Sequence, residues 1–311
     1  MSRGLRIMYL TKVGDKRRIA TKPLQRPNLW PWKYWMTIGI GVLCSDKNAG
    51  DCFILASDRL GSFGDGFSTR RHCKMFLEPE RGLYAVCADD VGNASELLGR
   101  ICEQWANIPP QNRSYRMLRQ GMQLAASEYR LYQFVASVLP RYPIDPKADW
   151  RVQAENLGLT EKLLDEWRNT QTGCELIVGS LGLYEQGRTM FHLHFSNEAG
   201  EVTPLPSCGF WAIGSGAENA LFWLAYREQG IGMSVKRSAL HVYEAKLMAE
   251  HSPYVGREDI ELLIVTQDQW YHLTHKRRSA DGCPVSLDEL EELHREFGPS
   301  STQSLGSLSG E

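Results

Sequence analysis

Three residues in the first quarter of the chain have types and spacings that could do chemistry. Thr37 opens the apolar run Thr37–Leu43, Asp58 follows the apolar run Cys52–Ser57, and Lys74 comes sixteen residues after Asp58. A threonine hydroxyl becomes a useful nucleophile only when a base lies within hydrogen-bond reach. A neighbouring aspartate can hold a lysine in its charged form. We therefore treat these three residues as a candidate catalytic set.

The elements that must position this set follow from hydrophobic periodicity and turn residues. The two apolar runs are predicted to be strands joined by a turn-rich hairpin, with a further strand over Leu83–Cys87. Helices are predicted over 93–105, 115–139, 217–229, 234–251 and 287–297, and later strands over 174–183, 189–195, 260–266 and 270–275. This order favours a layered α/β domain over a parallel sheet built from βαβ units.

Five short motifs, in order and with matched spacings, resemble the proteasome β subunits and HslV-type peptidases, which are N-terminal-nucleophile (Ntn) hydrolases. They are the strand that starts at Thr37, the strand that ends in Ala-Ser-Asp58-Arg, Lys74, the strand-to-helix junction at 84–97 and the turn Gly214-Ser-Gly216. The resemblance covers roughly residues 37–275. It implies a four-layer αββα sandwich of two antiparallel sheets between helical layers.

The resemblance and the composition of the two ends together divide the chain into three parts. Residues 1–36 would be a basic N-terminal extension, and residues 37–280 would be the Ntn-hydrolase domain with a helical insertion at about 140–172. Residues 281–311 would be a short helix followed by a Ser/Gly-rich tail that we expect to be disordered.

The resemblance also implies roles for individual residues. The free α-amine of Thr37 would be the base, since its ordinary pKa is about 7.7–8.0 and a nearby cation lowers that pKa further. Lys74 would be the cation and Asp58 would hold it in place. Ser215 would hydrogen-bond the amine and help to relay the proton, and Ser252 is the nearest counterpart of a second serine found in the family. No cofactor and no metal are implied.

This chemistry requires that the peptide bond before Thr37 be broken. Residues 1–35 hold nine Lys or Arg against one acid, Asp15, and Met36 stands where family propeptides usually carry glycine. Two interpretations stay open. Translation could begin at Met36, with removal of the methionine, or the segment could be a genuine basic propeptide or targeting leader.

Substrate-binding residues are also implied by the resemblance: Gly61, Ser62, His72, Cys87, Asp89 and Val91. The first two would offer backbone to an extended peptide, and His72, Cys87 and Val91 would shape a pocket for a neutral, mid-sized side chain. The family usually has glycine at the position of Asp89, and its backbone N–H helps to form the oxyanion hole. A carboxylate beside a developing oxyanion opposes its stabilisation.

The composition points away from several classes of protein. The 311 residues are 42% hydrophobic with a formal net charge of −2, which does not suggest a nucleic-acid-binding surface. No apolar run is long enough to span a bilayer, so we expect no membrane association. Eight scattered cysteines without CxxC pairs favour a reduced, cytoplasmic protein. His192 and His194 share a strand face without a third ligand, so packing is favoured over a metal site.

The predicted function is therefore hydrolysis of peptide or other amide bonds through an acyl-enzyme. Two alternatives stay open: a catalytically inactive proteasome-like subunit that builds rings or scaffolds partners, and a small-molecule amidase whose site is covered by the insertion. Asp58 and Lys74 could be a structural ion pair, and Ser215 could cap the following helix. The resemblance further implies a homo-oligomeric ring that acts on peptides or unfolded proteins, with room for an ATPase or other regulatory partner.

Overall fold

The structure is a computed structural model that describes residues 38–46, 50–58, 61–62, 68–69, 74–145, 148–183, 189–252, 255 and 260–297. The chain divides into the unit Met1–Lys33, which lies outside the described residues, and the unit Tyr34–Glu311. All of the described residues belong to the second unit. Thr37, Met36 and His72 also lie outside the described residues.

The described strands, in chain order, are β1 (Ile38–Asp46), β2 (Gly50–Asp58), β3 (Gly61–Ser62), β4 (Ser68–Thr69), β5 (Met75–Glu78), β6 (Leu83–Asp89), β7 (Cys174–Leu183), β8 (Thr189–Ser196), β9 (Val202–Pro204), β10 (Phe210–Gly214), β11 (Ile260–Val265) and β12 (Trp270–Leu273). The described α-helices are α1 (Val91–Ala106), α2 (Tyr115–Gln133), α3 (Trp150–Asn156), α4 (Thr160–Asn169), α5 (Ala217–Tyr226), α6 (Val235–Ala249) and α7 (Leu287–Phe297).

Two five-stranded sheets form the centre of the molecule. The first has the strand order β10-β1-β2-β11-β12 and the second has the order β5-β6-β7-β8-β9. Neighbouring strands are antiparallel throughout both sheets. Side chains of the first sheet, such as Phe53 and Leu55, pack between the sheets against Val86 and Ile177 of the second.

Helices cover the outer face of each sheet. Ile54 of β2 points away from the second sheet and packs in one cluster with Trp223 of α5 and Val242 of α6. On the other side, Leu176 of β7 packs in a cluster with Leu97 of α1. Successive residues of a strand point to opposite faces, so strands buried on both faces carry the continuous apolar runs seen in the sequence. The predicted four-layer αββα sandwich is confirmed.

The helix predicted over 115–139 was too long. Helix α2 ends at Gln133, and a π-helical turn (Phe134–Val138) and a 3-10 turn (Leu139–Arg141) follow it. Pro140 gives the physical reason, because a proline ring lacks an N–H and clashes with the carbonyl four residues earlier. Ser286 caps the beginning of α7, since its Oγ accepts the backbone N–H of Glu289 at 3.2 Å.

The segment after α2 has a small core of its own. Phe134 meets the rings of Trp150 in α3 and Trp167 in α4 edge-on, with ring centroids 5.1 and 5.4 Å apart. Leu139 and Leu163 also belong to this cluster.

Across the described ranges, no helix is both long and apolar enough to cross a membrane.

Candidate active site

Asp58, Lys74, Asp89 and Ser215 lie at one edge of the sandwich, where strand ends from both sheets converge. In the first sheet, β1 begins at Ile38, which lies opposite Gly214 at the end of β10. In the second sheet, β6 ends at Asp89, which lies opposite Cys174 at the start of β7. The backbone N–H of Gly214 donates to the Glu175 carboxylate at 2.9 Å, and this bond joins the two sheets.

Asp58 and Lys74 form a buried ion pair at this edge. Lys74 Nζ lies 2.7 Å from Asp58 Oδ1, and both side chains are 0% exposed. The same oxygen accepts the backbone N–H of Ile38 at 3.0 Å. Removing one partner of such a pair leaves an uncompensated buried charge and typically costs about 3–5 kcal/mol. The paired charges are thus fixed beside the first described residue of β1.

The strands explain why these groups meet. β2 pairs with β1 so that Gly39 lies opposite Ser57, which brings the carboxylate at the end of β2 to the beginning of β1. Lys74 directly precedes β5 of the other sheet, and its carbonyl accepts the backbone N–H of Cys87 at 3.0 Å. The aspartate therefore comes from one sheet and the lysine from the other.

Thr37, the candidate nucleophile, immediately precedes Ile38 in the sequence and lies outside the described residues, as does His72. Gly61 and Ser62 form the short strand β3, which pairs with β4, and their side chains are outside the description. The described geometry of the site is therefore that of Asp58 and Lys74 around Ile38.

Ser215 lies at the end of β10, on the same edge. Its carbonyl accepts the hydroxyl of Ser252 at 3.3 Å, so the two predicted serines come together. Gly216, the residue after Ser215, occupies the N-cap position of α5. The alternative in which Ser215 caps this helix stays a prediction.

Asp89 has an unusual backbone conformation. Its φ of 70° lies in the left-handed region, which residues other than Gly, Asn and Asp rarely adopt. This conformation explains why glycine suits the position. Asp90, the next residue, is the N-cap of α1 and accepts the backbone N–H of Asn93 at 3.0 Å.

The Asp89 side chain belongs to a group of three carboxyls. It hydrogen-bonds the side chain of Glu198, and Glu175 lies close enough to interact with it electrostatically. Burial first, and then these two acids, raise the pKa of Asp89 to about 7, while Lys74 acts in the opposite direction. Two carboxyls can hydrogen-bond each other only if one keeps its proton. Burial also raises the pKa of Glu175, against the effect of the Gly214 N–H.

The sequence analysis missed Glu175 and Glu198. Glu175 could have been noticed, because it is a charged residue inside the apolar strand Cys174–Leu183. Glu198 lies in the turn after β8, where an acid is ordinary. Its carbonyl accepts the backbone N–H of Thr172 at 2.7 Å, which ties this turn to the start of β7.

Two of the proposed pocket residues face the helical layer. Cys87 is completely buried in the cluster under α1 and α2, so its side chain presents no surface to solvent. Val91 is the first residue of α1 and packs, partly buried, against the same cluster.

His194, one of the two histidines on a shared strand face, is buried, with its ring stacked on Tyr115 at 6.5 Å between centroids. The His192 side chain is outside the description.

Neither a metal site nor a cavity is found at the described residues of the candidate site. In the part of the chain that the structure describes, no group of three or more His, Cys, Asp or Glu could hold a metal ion. A cavity of about 410 Å³ lies at the loop that connects α5 to α6, and one of about 380 Å³ lies between α1 and the β5–β6 hairpin. Neither is lined by Asp58, Lys74, Asp89 or Ser215, so neither supplies a substrate pocket for these residues.

Comparison with known proteins finds matches among solved structures. No protein-family model matches the chain, and no curated protein matches it. Among solved structures, the chain is similar to eukaryotic HslV from Trypanosoma brucei, at 16% sequence identity and a TM-score of 0.48. That alignment covers 74% of this chain and 99% of the HslV chain.

Proposed function

We propose that this protein is a threonine-type Ntn hydrolase that cleaves peptide or other amide bonds, with Thr37 as its nucleophile. The observation that carries the proposal is the single oxygen of Asp58 that binds both Lys74 Nζ and the backbone nitrogen of Ile38. It supports the proposal because Ile38 directly follows Thr37, so a fixed, buried cation stands at the beginning of the strand that Thr37 would start.

The cation has a specific use in this chemistry. If the chain begins at Thr37, its α-amine is the nearest base to the threonine hydroxyl, and its ordinary pKa is about 7.7–8.0. The Lys74 ammonium would lower that pKa by like-charge repulsion, which leaves more of the neutral amine at neutral pH. Because Asp58 also holds the Ile38 N–H, the lysine would stay aligned with the strand.

The reaction would run in two halves. Thr37 Oγ1 attacks the carbonyl carbon of the substrate amide while the α-amine takes its proton, and the backbone N–H of Asp89 donates to the oxyanion. The C–N bond then breaks, the proton passes to the leaving amine, and an ester to Thr37 remains. Water attacks this ester, again with the α-amine as base, and releases the acid product and free Thr37.

A catalytically inactive subunit is the second candidate function, and a specific observation favours it. Asp89, Glu175 and Glu198 bring three carboxyls to the place where the oxyanion would form. Negative charge at that place opposes transition-state stabilisation. Under this alternative the same fold would form rings or scaffold partners without hydrolysis.

The test is covalent labelling of protein whose N-terminus has been determined by mass. A peptide epoxyketone suits it, because its two electrophilic carbons require the hydroxyl and the free amine of the same residue. Protein expressed from Met36, with the methionine removed, should gain the mass of the probe on Thr37. Thr37→Ala and a form that retains Met36 should not. Labelling that persists in Thr37→Ala would place the nucleophile elsewhere.

A second test concerns the N-terminus of the mature protein. Protein purified from its own host should begin at Thr37, as read by N-terminal sequencing. Hydrolysis by protein that keeps residues 1–36 intact would contradict an N-terminal nucleophile. Peptides and unfolded proteins are the first substrates to try, alone and with a candidate ATPase or other regulator added.

A further inference from the structure

Cys44 and Cys52 are directly opposed on the neighbouring strands β1 and β2. They are register partners in the antiparallel pair, and their Sγ atoms lie 3.0 Å apart. Both are buried, at 1% and 0% exposure, within the cluster between the first sheet and its helices. This contact is far along β1 from Ile38, so it takes no part in the candidate site.

The backbone already has the spacing that a disulfide needs. Directly opposed residues of an antiparallel pair have Cα atoms about 4.5–5.5 Å apart, and disulfides span Cα distances of about 4.4–6.8 Å. A bond of about 2.05 Å requires the two sulfurs to approach each other by only about 1 Å. Side-chain rotation can supply that movement without a change in strand register.

We propose that Cys44 and Cys52 are a redox pair that closes a cross-strand disulfide when the protein meets a small dialkyl disulfide such as oxidised glutathione. One protein thiolate attacks a sulfur of the small disulfide, which forms a mixed disulfide and releases one thiolate. The second protein thiolate attacks the mixed disulfide and releases the other. Two protein thiols are oxidised, one small disulfide is reduced to two thiols, and the two protons pass to the leaving thiolates.

Access to the pair comes from the end of the hairpin. The last register partners of β1 and β2 are Asp46 and Gly50, two positions beyond the cysteines. Ser45 and Asp51, which lie between, are partly exposed. Strand ends open locally at a lower free energy than the core does. The exchange should therefore be slow in the folded protein and faster during refolding.

A second pair of buried cysteines gives a matched control. Cys87 and Cys174 also lie on neighbouring strands, β6 and β7, and pack in one cluster. Cys87 is opposite Leu176, however, and Cys174 is opposite Asp89, so the two cysteines are offset by two register positions. Diagonal neighbours of that kind are about 7–8 Å apart, which is beyond the range of an unstrained disulfide.

The experiment uses the full chain and oxidised glutathione as the probe. One sample of folded protein is incubated with oxidised and reduced glutathione, and a second sample is refolded from denaturant in the same mixture. The remaining thiols are then alkylated, and the protein is digested with trypsin without reduction. Cleavage at Lys47 and Arg59 places Cys44 and Cys52 in different peptides. We expect a species that joins these two peptides, lighter than their sum by two hydrogens, and no link between Cys87 and Cys174.

Single variants test each half of the exchange. In Cys44→Ala and Cys52→Ala the remaining cysteine should stop at the mixed disulfide with glutathione. In the wild type, oxidation should raise the melting temperature by several degrees, because the disulfide constrains the unfolded chain. The melting temperature of the Cys44→Ala/Cys52→Ala variant should not change on oxidation. Recovery of both peptides alkylated and unlinked, after folded incubation and after refolding, would overturn the proposal. Because this inference rests on the fold alone, its failure and that of the hydrolase function are separate.

Discussion

The backbone N–H of Ile38 donates to Asp58 Oδ1 at 3.0 Å, and Lys74 Nζ reaches the same oxygen at 2.7 Å. One carboxylate oxygen thereby joins the start of a strand in one sheet to a cation carried by the other. A structural ion pair would need only the salt bridge. The added bond to Ile38 fixes the pair at the head of the strand, where an N-terminal nucleophile would need it.

The first prediction separates stability from catalysis at this pair. Lys74→Met should lower the free energy of unfolding by about 3–5 kcal/mol, because Asp58 would be left as an uncompensated buried charge. The double variant Asp58→Leu/Lys74→Met should recover much of that loss, since replacing both members of a buried ion pair by apolar residues often leaves stability unchanged or raises it. Urea unfolding measures both changes.

The same variants report on function. Despite its recovered stability, the double variant should not label with the epoxyketone, because the α-amine of Thr37 would lack its cation. If the double variant labels at the wild-type rate, the ion pair has only a structural role.

The second prediction concerns stability as a function of pH. Burial and the neighbouring acids raise the pKa of Asp89 from 3.8 to about 7 on folding. Between these values the folded state binds more protons than the unfolded state, so the free energy of unfolding should fall as pH rises. Above about pH 7 the free energy of unfolding should have lost the whole contribution of Asp89, which is a few kcal/mol at most. Urea unfolding at about pH 5 and pH 8 measures it.

Asp89→Asn should flatten this dependence, and Glu80→Gln, which removes an exposed carboxylate, should leave it unchanged. Glu175 contributes a slope of the same sign, because burial raises its pKa as well. If the free energy of unfolding of Asp89→Asn falls with pH as steeply as that of the wild type, the pH dependence belongs to Glu175, and the prediction for Asp89 is wrong.

The fold was easier to predict than the chemistry around Asp89. Strands such as β2 and the helix starts depend on local periodicity and on capping residues, which the sequence displays directly. The proximity of Asp58 and Lys74 was available only through the resemblance, since they come from different sheets. The contact between Asp89 and Glu198 joins residues more than a hundred positions apart, and no spacing rule could have indicated it.

The third prediction concerns assembly. Phe222 and Tyr226 are one turn apart on α5, with 68% and 57% of their surface exposed. Large apolar side chains grouped on an outer helix commonly mark a contact between proteins. We expect a homo-oligomer by light scattering, and Phe222→Ser/Tyr226→Ser should lower its mass. Leu157→Ser, at a 47% exposed position before α4, is the control. A monomeric wild type at working concentration would refute the prediction.

The last prediction distinguishes the Asp89 carboxylate from its backbone. Asp89→Gly and Asp89→Ala both remove a carboxyl that is ionised above about pH 7 from the place where the oxyanion would form. Above that pH, both should speed epoxyketone labelling of Thr37, by up to about 100-fold. They differ in the left-handed backbone, which glycine adopts freely and alanine adopts at a cost of about 1–2 kcal/mol. Asp89→Gly should therefore be the more stable variant in urea unfolding. Faster labelling in both variants would show that the carboxylate restrains the reaction. Faster labelling in Asp89→Gly alone would assign the effect to the backbone. If neither variant labels although its N-terminus is Thr37, the inactive scaffold is the better description of this protein.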